Sequence, residues 1–175
     1  MKTTTILLSI LLPTIALADN KLCPIMIEDK VDQEEFVEHE GKKVYFCCTT
    51  CVKAWKRAPN YYIKVMGKEA LPQFVGMDEK LKLSEIELLP QKFCPIYTDS
   101  IVTPESPFLE IEGKKVYFFK KRGISRWEKD AEGNLKKALQ TGLLPQFPGN
   151  KKVQGKTNVV EGDKPSGEEA KQQQS

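Results

Sequence analysis

Apolar, β-prone residues are concentrated in two stretches of the chain, each time on both sides of a glycine. Residues 36–39 and 43–46 flank Glu40-Gly41, and residues 108–111 and 116–119 flank Gly113. β-prone runs on either side of a turn-forming glycine are typical of a β-hairpin. The pattern therefore predicts two hairpins, one in each half of the chain.

The period of the apolar positions changes after each hairpin. Val52 and Trp55, and further on Tyr62 and Val65, recur at helical spacing, and Pro59 interrupts the series. This predicts a short helix, a break before Pro59 and a second helix. In the other half, a helix is predicted through Trp127, with a softer break near Gly133.

The two halves are also copies of one another. Four blocks recur in the same order at offsets of 71 to 73 residues: Cys-Pro-Ile at 23 and 94, Gly-Lys-Lys-Val-Tyr-Phe at 41 and 113, Trp at 55 and 127, and Leu-Pro-Gln-Phe at 71 and 144. A tandem duplication of one small module is the simplest explanation. The predicted fold class is α+β, with two tandem modules over 19–74 and 93–147, each a β-hairpin followed by short α-helices. Several leucines in the intervening 75–92 segment predict a packed linker.

Both ends of the chain differ from this pattern. Residues 1–18 have a basic start at Lys2, an apolar stretch, and Ala-Leu-Ala before the predicted cut after Ala18, which is typical of a cleavable signal peptide. Residues 148–175 are rich in Gly, Lys, Glu, Gln and Ser, which predicts a disordered tail. We therefore expect a periplasmic or secreted protein without a stable membrane span after cleavage. Its net charge of +3 gives no electrostatic basis for nucleic-acid binding.

The cysteines are distributed unequally between the two copies. Four of the five, Cys23, Cys47, Cys48 and Cys51, lie in the first module, and Cys94 lies in the second. Phe119, Lys120 and Gly123 occupy the positions of the missing three. Because the second copy keeps the repeated blocks without these thiols, the cluster is interpreted as a site added to the scaffold.

The spacing of the first four cysteines favours a metal site. Cys47 ends a strand, Cys51 lies at the start of the following helix, and Cys23 comes from a separate loop, an arrangement common in small metal sites. Thiolates are soft ligands that suit Cu(I) or Zn(II). We predict Cys23, Cys47 and Cys51 as ligands, with Cys48 as the fourth and Met26 as a second candidate for that position.

The motif resembles the YHS / TRASH-like family of small metal-binding domains. The matching residues are Cys-Pro-Ile-Met at 23–26, the stretch 41–48, Cys51, Trp55, Pro59 and Tyr61-Tyr62, about 40 residues in all. The family's cysteine spacing maps onto Cys23, Cys47 and Cys51. The resemblance implies a treble-clef-like fold and a role in sensing or handling metals, often copper or zinc. The second copy resembles the same family with one of the three cysteines.

Two other interpretations of the cysteines stay open. They could form disulfides in a non-catalytic interaction module, since an exported protein meets an oxidising compartment. Alternatively, Cys48-Thr49-Thr50-Cys51 is a C-x-x-C sequence, as in thiol–disulfide oxidoreductases. Against catalysis, His39 is the sole histidine, is expected near the solvent edge of its strand, and completes no triad.

The interpretation that follows is a non-enzymatic protein that binds copper or zinc for sensing, storage or transfer. Its expected partners are the metal ion and a protein that donates or accepts it. The repeated aromatic residues Trp55, Trp127, Tyr45 and Tyr117 are predicted to be core residues, because the copy with one cysteine retains them.

Overall fold

The computed structural model describes residues 18–147 and shows a mixed α+β chain, as the sequence predicts. Residues 1–17 of the predicted signal peptide and the predicted tail over 148–175 lie outside the described residues. Within the described part, no helix is both long enough and apolar enough to cross a membrane.

Two antiparallel hairpins form the sheets of residues 18–147. In the first, β1 (Asp32–His39) pairs with β2 (Lys42–Phe46), and in the second, β3 (Phe108–Ile111) pairs with β4 (Lys114–Tyr117). The first turn has positive φ angles at both central residues, 51° at Glu40 and 73° at Gly41. Such a turn matches the twist of the strands, and glycine adopts that conformation without strain.

Short helices follow each hairpin. The first pair is α1 (Thr49–Trp55) and α2 (Pro59–Ala70), and the second pair is α3 (Lys121–Trp127) and α4 (Ala131–Gln140). Pro59 is the first residue of α2, where its fixed φ is compatible with a helix and its missing N–H costs nothing. Short 3-10 helices cover Pro72–Phe74, Leu83–Glu85 and Glu128–Asp130.

A tryptophan lies at the centre of each half. Trp55 is 1% exposed, stacks on Tyr62 with ring centroids 5.9 Å apart, and meets the edge of Phe46 at 5.5 Å. Trp127 is fully buried and meets Phe118 at the same distance of 5.5 Å. The prediction of two core tryptophans is therefore confirmed.

Two of the predicted core aromatics are not fully buried. Tyr45 and Tyr117 are half-buried, and their rings pack against Phe36 and Phe108 on the outer faces of the hairpins. The physical reason is the alternation of a strand, since their neighbours Val44 and Val116 face the core.

The segment between the halves is packed along part of its length. Leu81 is buried, and the Leu89 N–H donates a hydrogen bond to the Tyr61 hydroxyl at 3.1 Å. Leu88, by contrast, is 39% exposed.

The halves meet where their Cys-Pro loops lie side by side. The Ile27 N–H donates to the Asp99 carbonyl (3.1 Å), and the Ile101 N–H donates to the Ile25 carbonyl (3.0 Å). This short antiparallel contact brings the two loops that carry Cys23 and Cys94 next to each other.

Candidate metal centre

Cys23 is fixed by a tight loop at the start of the first half. Its N–H donates to the Asp29 carbonyl at 2.9 Å, and the side chain is fully buried. The Cys23 sulfur accepts hydrogen bonds from the backbone N–H groups of Ile25, Met26 and Cys47. Backbone donors of this kind stabilise a thiolate.

The other three thiols come from the junction between β2 and α1. Cys47 follows the last residue of β2, Cys48 is the N-cap of α1 with an extended backbone, and Cys51 lies in its first turn. The Cys51 sulfur lies 3.6 Å from the sulfurs of both Cys47 and Cys48, and the latter two are 3.9 Å apart. Cys51 is fully buried, whereas Cys47 and Cys48 are half-buried.

The fold thus brings together the predicted ligands from two distant segments. The sulfurs of Cys23, Cys47 and Cys51 all lie within 4.8 Å of one another. A tetrahedral zinc–thiolate site with bonds of about 2.3 Å has sulfur–sulfur edges of about 3.8 Å. The sulfur–sulfur distances around Cys51 therefore match a metal-binding geometry. Within residues 18–147 all five cysteines are free thiols.

The thiols of this group differ in their pKa values. The hydrogen bond from Cys51 and the backbone N–H donors lower the pKa of Cys23 to about 6, although burial opposes this. Donating that hydrogen bond, together with burial, raises the pKa of Cys51 well above its usual range. Burial raises the pKa of Cys47 as well. Cys23 is therefore the most acidic of the three thiols, and a cation would compete with the protons of the other two.

A buried amide network holds the Cys23 loop against the hairpin. The Asn20 side chain donates to the carbonyls of Leu22 (2.9 Å) and Tyr45 (2.8 Å) and accepts from the Tyr45 N–H (3.1 Å). Gln73 donates to Asn20 (3.1 Å) and to the Lys43 carbonyl (3.0 Å). Because Asn20 is three residues before Cys23 and Tyr45 two before Cys47, these bonds set the distance between two of the predicted ligands.

The same network recurs in the second half. Gln91 donates to the carbonyls of Phe93 and Tyr117 and accepts from the Tyr117 N–H, and Gln146 donates to Gln91 and to the Lys115 carbonyl. Sequence reasoning missed these residues. The signal for two of them was present, since the glutamine of the repeated Leu-Pro-Gln-Phe block is polar in an otherwise apolar motif.

The Cys94 sulfur accepts backbone hydrogen bonds as the Cys23 sulfur does, but it has no thiol neighbours. Its sulfur accepts hydrogen bonds from the N–H groups of Ile96, Tyr97 and Phe119, at 3.4 Å for Tyr97. Burial raises the pKa of Cys94, and no second thiol is present to offset that. Phe119 stands where the first half has Cys47, and its ring is almost fully buried.

Tyr97 fills the space that Gly123 leaves at the position of Cys51. A Cβ atom added to Gly123 would lie 3.5 Å from the Tyr97 ring and 3.5 Å from Phe118. Lys120 and Arg126 place their charges 4.5 and 5.3 Å from the centre of the same ring. Lys120, which is half-buried, thus contacts an aromatic ring. In the second half, the rings of Tyr97 and Phe119 therefore occupy the space that thiols occupy in the first half.

Two further sequence candidates lie as follows. The Met26 N–H donates a hydrogen bond to the Cys23 sulfur, and Met26 forms an isolated β-bridge with Ser100 in the other half. His39 was expected near solvent but is half-buried: its Nε2 lies 2.9 Å from Asn60 Oδ1, and its ring packs on Trp55 and Phe74. The strand turns His39 towards α2 rather than outwards, and it is not a member of the cysteine group.

Comparison with known proteins finds no matching family model, no similar curated protein and no similar solved structure. The resemblance noted above therefore depends on the motif residues alone. The function has to be argued from the geometry of the cysteines.

Proposed function

We propose that this chain is a soft-metal-binding protein whose first half captures one copper or zinc ion. The observation that carries the proposal is the convergence of Cys23, Cys47 and Cys51 within 4.8 Å from two segments of the chain. Thiols that approach this closely, two of them fully buried, form a ready donor set for a soft cation.

Zn(II) and Cu(I) place different demands on this donor set. Three thiolates suffice for trigonal Cu(I), whereas Zn(II) takes four ligands in structural sites. Cys48 is the fourth ligand in the zinc interpretation, because its sulfur is already in contact with two members of the group.

The tandem arrangement and the YHS / TRASH-like, treble-clef assignment belong to the same proposal. Support comes from the equivalent hydrogen bonds in the two halves: Asn20 and Gln91 make the same backbone contacts, and so do Gln73 and Gln146. In this view the second half is a degenerate copy that keeps the scaffold and replaces the metal by Tyr97.

The proposed role is binding and transfer rather than catalysis, in the periplasm or outside the cell. Two of the thiols are half-buried, so a thiol or thioether of a partner protein has access to an ion held there. Ligand exchange with that partner would load or unload the site in sensing, storage or transfer.

Elemental analysis tests the proposal. The mature protein is purified from the exported fraction without chelator or reductant, in wild-type, Cys51→Ser and Cys94→Ser forms. We expect about one equivalent of copper or zinc in the wild type and in Cys94→Ser, and loss of the metal in Cys51→Ser, as befits a single site. Metal-free wild-type protein with all its thiols in disulfides would contradict the proposal and favour the interaction module.

A further inference from the structure

The C-x-x-C turn at the start of α1 joins a half-exposed thiol to a fully buried metal ligand. Cys48 is half-buried, while Cys51 is fully buried, and their sulfurs are 3.6 Å apart. A reagent from solution therefore reaches Cys48 before it reaches Cys51.

The backbone between these two cysteines forms a turn whose span is compatible with a disulfide. The Cys51 N–H donates to the Cys48 carbonyl at 3.0 Å, which closes a turn. A four-residue turn keeps its end Cα atoms within about 7 Å, and disulfides span about 4.4 to 6.8 Å. Cys47 lies outside this turn, so its pairing with Cys51 has no such backbone support.

We propose that Cys48 is the site at which an external disulfide oxidises the metal centre, and that the resulting Cys48–Cys51 bond expels the ion. This inference rests on the proposed function and adds a redox control to the same site. It differs from oxidoreductase catalysis, because the product is a metal-free protein rather than a turned-over substrate.

The chemistry is two thiol–disulfide exchanges. The Cys48 thiolate attacks an external disulfide, forms a mixed disulfide and releases one thiolate. The Cys51 thiolate then attacks the Cys48 sulfur, its bond to the metal breaks, and the second external thiolate leaves. The external disulfide accepts two electrons, and the two protein thiolates supply them. With Cys51 removed, Cys23 and Cys47 are left as ligands, too few for either ion to be held as before.

The second half provides an internal contrast. Lys120 is the N-cap of α3, as Cys48 is of α1, and Gly123 stands in place of Cys51. The second half therefore has no counterpart of Cys48 or of Cys51, and its one cysteine, Cys94, is fully buried. Cys94→Ser is therefore a matched control that removes a thiol without touching the pair.

The test follows release of Zn(II) with a chromophoric chelator. Reduced protein is loaded with one equivalent of zinc, freed of reductant and exposed to oxidised glutathione, in wild-type, Cys48→Ser and Cys94→Ser forms. Peptide mapping by mass spectrometry identifies the disulfide. We expect the wild type and Cys94→Ser to release their zinc together with a Cys48–Cys51 disulfide. Cys48→Ser lacks the proposed fourth zinc ligand and starts from a weaker site, but it should release no more zinc with oxidised glutathione than without it.

Three results would overturn the inference: zinc retained by the oxidised wild type, equal release from Cys48→Ser, or a disulfide mapped to another pair. If Cys48→Ser does not load zinc, the mapping in the wild type decides. Failure of the reduced wild type to load any zinc is a separate result that removes the proposed function itself. Zinc-loaded protein that neither releases zinc nor forms a disulfide in oxidised glutathione would contradict the inference but leave that function intact.

Discussion

Replacing Asn20 by alanine should both destabilise the first half and weaken its metal site. Asn20 is 3% exposed and its side chain takes part in four hydrogen bonds, two with the backbone of Tyr45 and one each with Leu22 and Gln73. The alanine variant leaves those partners without a replacement, and two of them belong to the strand that leads to Cys47.

The size of the effect follows from the count of bonds. A net value of about 1 kcal/mol for each of four hydrogen bonds gives a loss of about 4 kcal/mol in the free energy of unfolding. That is a large fraction of the roughly 5–15 kcal/mol that stabilises a small domain. Since Asn20 positions two ligands without touching the ion, we expect metal affinity to fall by about 10- to 100-fold, the usual range for supporting residues.

Gln91→Ala is the matched control. Gln91 is 1% exposed and takes part in four equivalent bonds in the second half. We expect a loss of stability similar to that of Asn20→Ala, about 4 kcal/mol by the same count. Zinc affinity should stay at the wild-type level, because the loop that Gln91 holds carries Cys94 alone.

The assay combines denaturant unfolding with zinc competition. Urea unfolding is followed by the fluorescence of Trp55 and Trp127, one buried in each half, and zinc affinity is measured against a chromophoric chelator. A loss below about 1 kcal/mol in Asn20→Ala would show that the network adds no net stability. Equal weakening of zinc binding in both variants would show that affinity follows global stability rather than the position of the Cys23 loop.

Three further predictions concern backbone and protons. Gly123→Ala should raise the free energy of unfolding by about 0.5–1 kcal/mol in urea titrations, since alanine favours the helix and its methyl group makes ordinary contacts; a loss of stability would contradict this. Gly41→Ala should lower it by about 1–3 kcal/mol, because the residue has φ of +73° although the space around it is open; an unchanged value would refute the argument from strain. Zinc binding at pH 7 should release the protons of at least Cys47 and Cys51, because the pKa values of these two thiols are raised whereas that of Cys23 is lowered to about 6. Protons compete with the ion, so affinity should fall as the pH is lowered, and an indicator titration that finds no proton release would exclude thiols as the donors.

Local features of the fold were predictable from sequence because they depend on neighbouring residues. The hairpin turn at Glu40-Gly41 and the start of α2 at Pro59 follow from backbone preferences that act over a few residues. The grouping of Cys47 and Cys51 follows in the same way from a strand that runs into a helix.

Side-chain environment was less predictable. His39 lies on β1 and Tyr45 on β2 of the same hairpin, and sequence reasoning placed the first near solvent and the second in the core. Both are half-buried, because helix α2 covers His39 and the ring of Phe36 covers Tyr45 on the outer side. What covers a strand residue depends on elements that follow much later in the chain.

The sequence by itself determined that the chain repeats, that each half has a hairpin and short helices, and that the thiols concentrate in the first half. Only the tertiary structure decided that Cys23 reaches the other thiols, that Asn20 holds it there, and that Tyr97 fills the corresponding space in the second half. The physical reason is the distance along the chain over which each kind of interaction acts. Backbone preferences and periodicity act over a few residues, whereas these contacts join segments far apart in the chain and form when the core packs.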